Sequence, residues 1–234
     1  MKGKNNKKST RQYKEEEYFT PTNFEVMTQK QSEYKHEIYT KNYVIATGRA
    51  GTGKTYVACR LAARLLKQEQ IKKIILCRPA VSDSQTIGLF KGTKEEKMYE
   101  WIRPMLGALT EDFPNGQIQY MLKVGILDFV PLETIKGHSF KDAFVVIDEA
   151  EDIKVSELKK IMTRLGENST MVFCGDTSQV DIKQNSGLAK AIEMREKYPN
   201  FRARVGWIDF DEKEDIVRSE AVADVIYDFE AENI

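Results

Sequence analysis

The chain has 234 residues, of which 41% are apolar and 31% are charged. This balance indicates a folded globular protein with room for one sizeable domain, and it excludes a chain that is disordered throughout. Lysine plus arginine total 36 and aspartate plus glutamate total 36, so a uniformly basic nucleic-acid coat is excluded, whereas a local basic patch is not.

The start of the chain is polar and basic, without apolar periodicity. Its composition predicts a disordered basic arm over residues 1–20, followed by one domain over residues 21–234. The arm is interpreted either as a contact for nucleic acid or as a solubilising tail, and both interpretations stay open. It lacks the apolar stretch of a secretory signal, and no apolar run in the chain is long enough to span a membrane.

The cysteine pattern indicates a reducing compartment. The three cysteines lie far apart in the sequence and have no paired spacing, which is typical of buried, reduced thiols rather than of disulfides or a zinc site. We therefore expect a cytoplasmic protein without a membrane contact.

From about residue 40 onward, short apolar runs typical of strands alternate with segments of helical periodicity. Strands are predicted over residues 43–47, 73–77, 127–132, 143–147, 170–174 and 204–210. Helices are predicted over residues 54–67, 94–109 with a break or kink at Pro104, 156–165 with Ser156 as N-cap, 186–197 and 219–229. Residues 80–127 are expected to hold short helices. Because the strands are continuously apolar and separated by helices, we predict an α/β fold of three layers, a mainly parallel sheet covered on both faces.

A glycine-rich loop follows the first predicted strand. Residues 48–55 read GRAGTGKT and match the phosphate-loop pattern G-x-x-x-x-G-K-[ST] in full. Glycine lets successive backbone N–H groups approach phosphate oxygens, and the following helix directs its positive end at the same anion. Lys54 is predicted to reach the β- and γ-phosphates of ATP, and the Thr55 hydroxyl to bind Mg²⁺. The residues predicted to hold the nucleotide are Gly48, Arg49, Ala50, Gly51, Thr52, Gly53, Lys54, Thr55 and Tyr56.

Polar residues follow two later strands at the points where those strands end. Asp148 and Glu149 come directly after the strand at 143–147, so in a parallel sheet they share an edge with the phosphate loop. Asp148 is predicted to hold Mg²⁺ and Glu149 to polarise the attacking water. The strand at 170–174 leads into GDTSQ, in which Gln179 is predicted to bond the γ-phosphate or the water. This constellation predicts Mg²⁺-dependent ATP hydrolysis.

These three motifs, in this order, resemble the ATPase domain of the PhoH family, which is similar to the first motor domain of superfamily 1 helicases. Other segments that carry the resemblance are Gln31, GLFKGTKEEK at 88–97, VPLETIKG at 130–137, AFVVIDEAED at 143–152, CGDTSQVD at 174–181 and DIVRS at 215–219. The resemblance covers roughly residues 20–230, and the compact length is similar to that of phage-encoded members. It implies a RecA-like P-loop NTPase, adenine contact by Gln31, and a helicase-like motor acting on RNA or single-stranded DNA.

The chain departs from the family pattern at several positions. It has Arg49 where the family usually has proline, and Glu151-Asp152 where the family usually has glutamine and then asparagine. It also has Lys136 where the family usually has arginine.

The source of a catalytic arginine is open. An arginine finger contributes about 10³–10⁵ in rate, and two-domain helicases supply it from their second domain. Motor signals end near residue 220, so either a neighbouring copy supplies the arginine, or an internal one does, or hydrolysis is slow. We expect a head-to-tail homo-oligomer, such as a hexameric ring. The candidates, in order of preference, are Arg218 and Arg164, then Arg103 and Arg78.

Two functions outside this motor class stay open as alternatives. One is a nucleotide-switched module that binds RNA or protein with negligible turnover, and it differs from the ATPase in showing no stimulation of turnover by RNA or DNA. The other is a small-molecule kinase, which the Gly-Asp-x-x-Gln pattern makes the weaker alternative.

Overall fold

The computed structural model describes residues 24–79, 94–176 and 186–231, and over these residues the chain forms a six-stranded sheet flanked by helices. The strands are β1 Tyr43–Gly48, β2 Lys73–Arg78, β3 Leu127–Pro131, β4 Ala143–Ile147, β5 Thr170–Cys174 and β6 Val205–Phe210. The helices are α1 Gln29–Thr40, α2 Lys54–Lys67, α3 Lys94–Thr110, α4 Asn115–Val124, α5 Val155–Met162, α6 Gly187–Lys197, α7 Pro199–Arg202 and α8 Glu220–Ala231. Among the helices so described, none is both long and apolar enough to cross a bilayer.

The sheet is parallel throughout. Its strand order is β3-β2-β4-β5-β1-β6, and each neighbouring pair runs in the same direction. Strands β4 and β5 are buried at every position, as expected for strands covered on both faces. The predicted three-layer α/β fold, a parallel sheet covered by helices on both faces, is confirmed.

The apolar core lies in two layers, one on each face of the sheet. Alternate residues of β4 divide between them: Phe144 and Val146 pack under α1, α2, α3 and α4, whereas Val145 and Ile147 pack under α5 and α6. The three cysteines are buried in these layers and free, as predicted. This double layer holds the strand ends, and so the site, on a rigid base.

The predicted start and end of α5 were wrong. The helix begins at Val155 with Lys154 as N-cap, so Ser156 lies inside the first turn. The reason is tertiary: Lys154 is extended and forms a bridge with Ser186, which places the turn into the helix before Ser156. The helix also ends at Met162 rather than at residue 165, because Leu165 pairs with the segment before β4.

Two other helices differ from expectation. A break or kink was predicted at Pro104; helix α3 continues across this residue, so the break is excluded and the kink stays a prediction. The missing N–H of Pro104 is tolerated because neighbouring residues of α3, among them Met105 and Leu109, pack into the core. Helix α1 was not predicted, since it buries only Gln31, Tyr34 and Ile38 and its apolar stripe is too narrow to set a clear period.

The strand order brings three loops to one edge. Strand β5 lies between β1 and β4, and all three run in the same direction. The phosphate loop after β1, the acidic turn after β4 and the turn after β5 therefore meet at the carboxyl edge of the sheet, where ligands bind in open α/β folds.

Candidate functional site

A cleft of about 660 Å³ opens at this edge. The three loops form it together with the segment before α1 and the segment before α8. Its lining residues are Phe24, Glu25, Met27, Gln31, Ala50, Gly51, Thr52, Gly53, Lys54, Thr55, Tyr56, Glu111, Asp148, Glu149, Glu151, Cys174, Gly175, Asp176, Val217 and Arg218. The cleft therefore holds most of the predicted site residues.

The conformation of the phosphate loop requires glycine at both of its ends. Gly48 has a φ of +112°, and a Cβ there would lie 2.2 Å from the carbonyl oxygen of Phe210. Gly53 has a φ of +82° and is the N-cap residue of α2. The first N–H groups of α2 are thus presented to the cleft, as an anion site requires. A loop of this shape fits the phosphate groups of a nucleotide.

Lys54 is held over this loop. Its ammonium group donates hydrogen bonds to the carbonyl oxygens of Gly48 and Arg49, both at 2.6 Å. Burial lowers the pKa of Lys54, although nearby acidic groups oppose the shift. A cation removed from water in this way favours an incoming anion, so the predicted phosphate contact fits the position of the side chain.

Thr55 and Asp148 meet directly. The Thr55 hydroxyl donates to Asp148 Oδ1 at 2.5 Å, which joins the phosphate loop to the strand end of β4. Burial raises the pKa of Asp148, and the bond from Thr55 acts in the opposite direction. Within the described ranges no cluster of three or more histidine, cysteine or acidic residues forms a metal cage. A pair of oxygen donors instead fits Mg²⁺, which proteins hold through one or two ligands plus substrate phosphates.

Glu149 adopts an unusual backbone conformation beside an arginine. Its φ is +51°, in the left-handed region, where a non-glycine residue is strained. Arg78, at the end of β2, hydrogen-bonds its carboxylate and also lies 3.8 Å from Asp148 Oδ2. Burial acts to raise the pKa of Glu149, but hydrogen bonds from Glu151 and Arg78 outweigh it and lower that pKa. Glu149 is therefore held ionised, as a proton acceptor must be.

Gln31 lies against the phosphate loop. It is only 3% exposed, and its Nε2 donates to the carbonyl oxygen of Thr52 at 3.0 Å. Its Oε1 accepts the backbone N–H of Met27 at 2.8 Å. The segment before α1 is thereby fastened to the loop, and the adenine contact expected of Gln31 stays a prediction.

The two preferred arginines lie in different places. Arg218 lines the cleft, and its Cγ lies 3.1 Å from the position of a Cβ on Gly51. Arg164 hydrogen-bonds the carbonyl oxygen of Lys136 at 3.3 Å, in the segment that precedes β4, and so lies toward the amino edge of the sheet. The structure thus brings Arg218 to the phosphate loop of its own chain and keeps Arg164 away from it.

The positions of three further residues from the sequence predictions, Arg49, Arg103 and Gln179, are as follows. The guanidinium carbon of Arg49 lies 4.1 Å from the ring centre of Tyr227 in α8, so its side chain packs on α8 while its backbone serves the loop. Arg103 is exposed on α3 and is absent from the described cleft lining. Gln179 lies outside the described residues, and its role stays a prediction.

Sequence reasoning missed two contributors to the cleft. Glu151, noted only as a departure from the family pattern, is buried in it beside Asp176. Phe24, a few residues before Gln31, also lines it and meets the Tyr56 ring edge to face at 6.0 Å. The signal that would have identified them is their proximity in sequence to Glu149 and to Gln31.

The chain is similar in sequence to known proteins. The family model described as PhoH-like protein matches residues 23–230. The PhoH-like protein of Bacillus subtilis (strain 168) is 36% identical over 210 residues, which span 89% of this chain and 64% of that protein. Protein PhoH of Escherichia coli (strain K12) is 34% identical over 193 residues, or 81% of this chain and 53% of that protein. The chain thus matches between about half and two thirds of the length of these relatives.

Among solved structures, the chain superposes on the UvsW helicase from bacteriophage T4 with a TM-score of 0.49 and 12% identity. The superposition covers 79% of this chain and 60% of that one.

Proposed function

The chain belongs to the PhoH-like protein family, and from that premise we propose that it binds ATP with Mg²⁺ and hydrolyses it. The observation that carries the proposal is the hydrogen bond between Thr55 and Asp148. It brings the metal-binding hydroxyl of a phosphate loop to the acidic strand end, with Glu149 one residue further on. A packing role does not account for two acids at the end of a buried strand beside a half-buried lysine.

Each group has a role that follows from its position. The N–H groups at the start of α2 and the ammonium of Lys54 hold the β- and γ-phosphates. Thr55 and Asp148 supply the protein ligands of Mg²⁺, which when bound neutralises charge on the phosphates. Glu149 accepts a proton from the water whose oxygen bonds to the γ-phosphorus, as the bond from that phosphorus to the β–γ bridging oxygen breaks. The products are ADP and phosphate.

We place the adenine base at the part of the cleft formed by Phe24, Met27, Gln31 and Tyr56. The aromatic rings of Phe24 and Tyr56 offer apolar surface for a base. Gln31 fastens this part of the cleft to the loop through Thr52, so base binding and phosphate binding share one support.

Coupling to RNA or single-stranded DNA is the finer part of the proposal. Its supports are the resemblance to helicase motors and the basic residues at the start of the chain. The same proposal includes a homo-oligomer. Because Arg218 lies at the cleft of its own chain and Arg164 does not, Arg164 is the candidate to reach the site of a neighbouring subunit. The competing function is a nucleotide-switched binding module with negligible turnover.

The test is Glu149→Gln, which preserves the size of the side chain and removes the proton acceptor. ATP affinity by calorimetry should stay within about threefold, whereas phosphate release should fall at least about a hundredfold, because general-base catalysis contributes about 10²–10⁴. Asp152→Asn, an exposed acid in the same turn, is the matched control.

Phosphate release with and without RNA or single-stranded DNA separates the two functions. Stimulation supports the motor, while tight ATP binding without turnover under either condition supports the switched module. Absence of ATP binding by the wild-type protein would refute both.

A further inference from the structure

Glu151 is a buried acid that the mechanism above does not use. It lies in the one-turn 3₁₀ helix Ala150–Asp152 that follows Glu149, and it is only 8% exposed. Its Oε2 accepts the backbone N–H of Asp176 at 3.2 Å. The side chain therefore reaches from the acidic turn after β4 to the turn after β5.

The carboxyl group of Glu149 lies close enough to interact with that of Glu151. Two carboxyl groups share a hydrogen bond only when one of them carries a proton. Burial, followed by the bond to Glu149, raises the pKa of Glu151 to about 8, whereas the pKa of Glu149 is lowered. The raised pKa favours the protonated form of Glu151 at neutral pH, and this form can donate to Glu149 while its Oε2 accepts from the backbone of Asp176.

The residue at position 175 makes this contact possible. A Cβ on Gly175 would lie 2.6 Å from Glu151 Oε2 and 2.8 Å from the backbone nitrogen of Glu151. Any other residue would push the Glu151 carboxyl group away from Asp176. Gly175 is therefore part of the same arrangement, although its φ is not in the left-handed region.

We propose that Glu151 is a positioning residue whose carboxyl group ties the water-polarising Glu149 to the backbone of the turn after β5. The inference rests on the proposed function, because it takes Glu149 as the proton acceptor. A protonated glutamate has nearly the shape of glutamine, and like glutamine it can donate one hydrogen bond and accept another. The tie through Glu151 therefore depends on a proton.

Several charged groups surround the link from Glu149 through Glu151 to Asp176. The partners of Glu151 are Glu149 and the backbone of Asp176. Arg78 hydrogen-bonds Glu149, and the charge of Glu151 raises the pKa of Lys54. Loss of the proton would leave two neighbouring negative charges, on Glu149 and Glu151, which is unfavourable in a buried site. We therefore expect the tie to open as pH rises above about 8.

Three variants test the inference. Glu151→Gln keeps both bonds without a titratable proton, Glu151→Ala removes both, and Asp152→Asn is the matched exposed control. At about pH 7, kcat should stay within about threefold for Glu151→Gln and fall about tenfold to a hundredfold for Glu151→Ala, with little change in ATP affinity. Above about pH 8 the wild-type kcat should decline, while that of Glu151→Gln should not.

A second readout needs no turnover. The backbone amide of Asp176 should exchange slowly with solvent, by NMR in nucleotide-free protein, in the wild type and in Glu151→Gln, and about tenfold or more faster in Glu151→Ala. If the wild type binds ATP but does not turn it over, the proposed hydrolysis fails while this exchange still reports on the tie. Equal impairment of Glu151→Gln and Glu151→Ala, or unchanged exchange in Glu151→Ala, would overturn the inference.

Discussion

The backbone N–H of Val217 donates to the carbonyl oxygen of Gly51 at 3.1 Å. This bond fastens the segment before α8 to the phosphate loop of the same chain. The next residue, Arg218, packs its Cγ close to Gly51 and lines the cleft. The arginine expected to reach a neighbouring subunit thus lies beside its own loop, which favours action within the subunit.

We predict that Arg218→Ala lowers kcat by about 10³ or more, since removal of an arginine at the transition state has that order of effect. Mixing it with Lys54→Ala under conditions of subunit exchange should restore no activity, because neither chain then has both groups at one site. Recovery of activity in the mixture would show that Arg218 acts in trans.

Arg164 supplies the matched experiment. It lies toward the amino edge of the sheet, away from the cleft of its own chain, so any loss of activity in Arg164→Ala should be rescued by mixing with Lys54→Ala. The mass of the protein in solution is measured alongside. Full activity in a protein whose measured mass is that of a monomer would contradict the proposal that Arg164 serves a neighbouring subunit.

Lys54→Ala should abolish tight ATP binding. The lysine is half-buried over the loop and donates to two loop carbonyls, so its loss removes the cation placed for the β- and γ-phosphates. The measurement is a calorimetric titration with Mg²⁺-ATP, with the exposed Lys72→Ala as control. Equal affinity in the two variants would contradict the assignment.

Thr55→Val should weaken the dependence of ATP binding on Mg²⁺. Valine keeps the shape of the side chain but lacks the hydroxyl that meets Asp148. The ratio of ATP affinities with Mg²⁺ and with EDTA should fall by about tenfold to a hundredfold, the usual effect of losing a group that supports a metal. Thr134→Val, at an exposed site, should leave the ratio unchanged.

Gly48→Ala should destabilise the fold by at least about 2 kcal/mol, because the new Cβ would collide with Phe210 and the φ of +112° disfavours any side chain. Gly107→Ala is the control: its Cβ meets nothing within 4 Å, and within helix α3 it should add about 0.5–1 kcal/mol. Urea unfolding at equilibrium measures both. Similar midpoints for the two variants would refute the collision.

Glu151→Gln should change how stability depends on pH. The pKa of Glu151 rises from 4.5 to about 8 on folding, so between these values the folded state binds more protons and wild-type stability falls as pH rises. Below pH 4.5 the carboxyl group is protonated in both the folded and the unfolded state, so the stability contributed by protonated Glu151 is fully present. The stability of Glu151→Gln relative to wild type should therefore increase across this window, as measured by urea unfolding at several pH values. A constant difference would contradict the raised pKa.

Much of the phosphate site could be predicted from the sequence because its signals are local. GRAGTGKT lies between an apolar strand and an amphipathic helix, and two acids follow a run of buried residues. Chain direction in a parallel sheet is enough to place such strand ends at one edge. The loop, Lys54, Thr55, Asp148 and Glu149 therefore followed from residue type and spacing alone.

Only the tertiary structure decided which of these groups touch. That β5 lies between β1 and β4 sets Asp176 beside Glu151, and no periodicity records the order of strands in a sheet. The same holds for Arg218, which reaches Gly51 because Val217 is bonded there. Local patterns depend on neighbours along the chain, whereas these contacts depend on how both faces of the sheet pack, and packing brings together residues that are far apart in sequence.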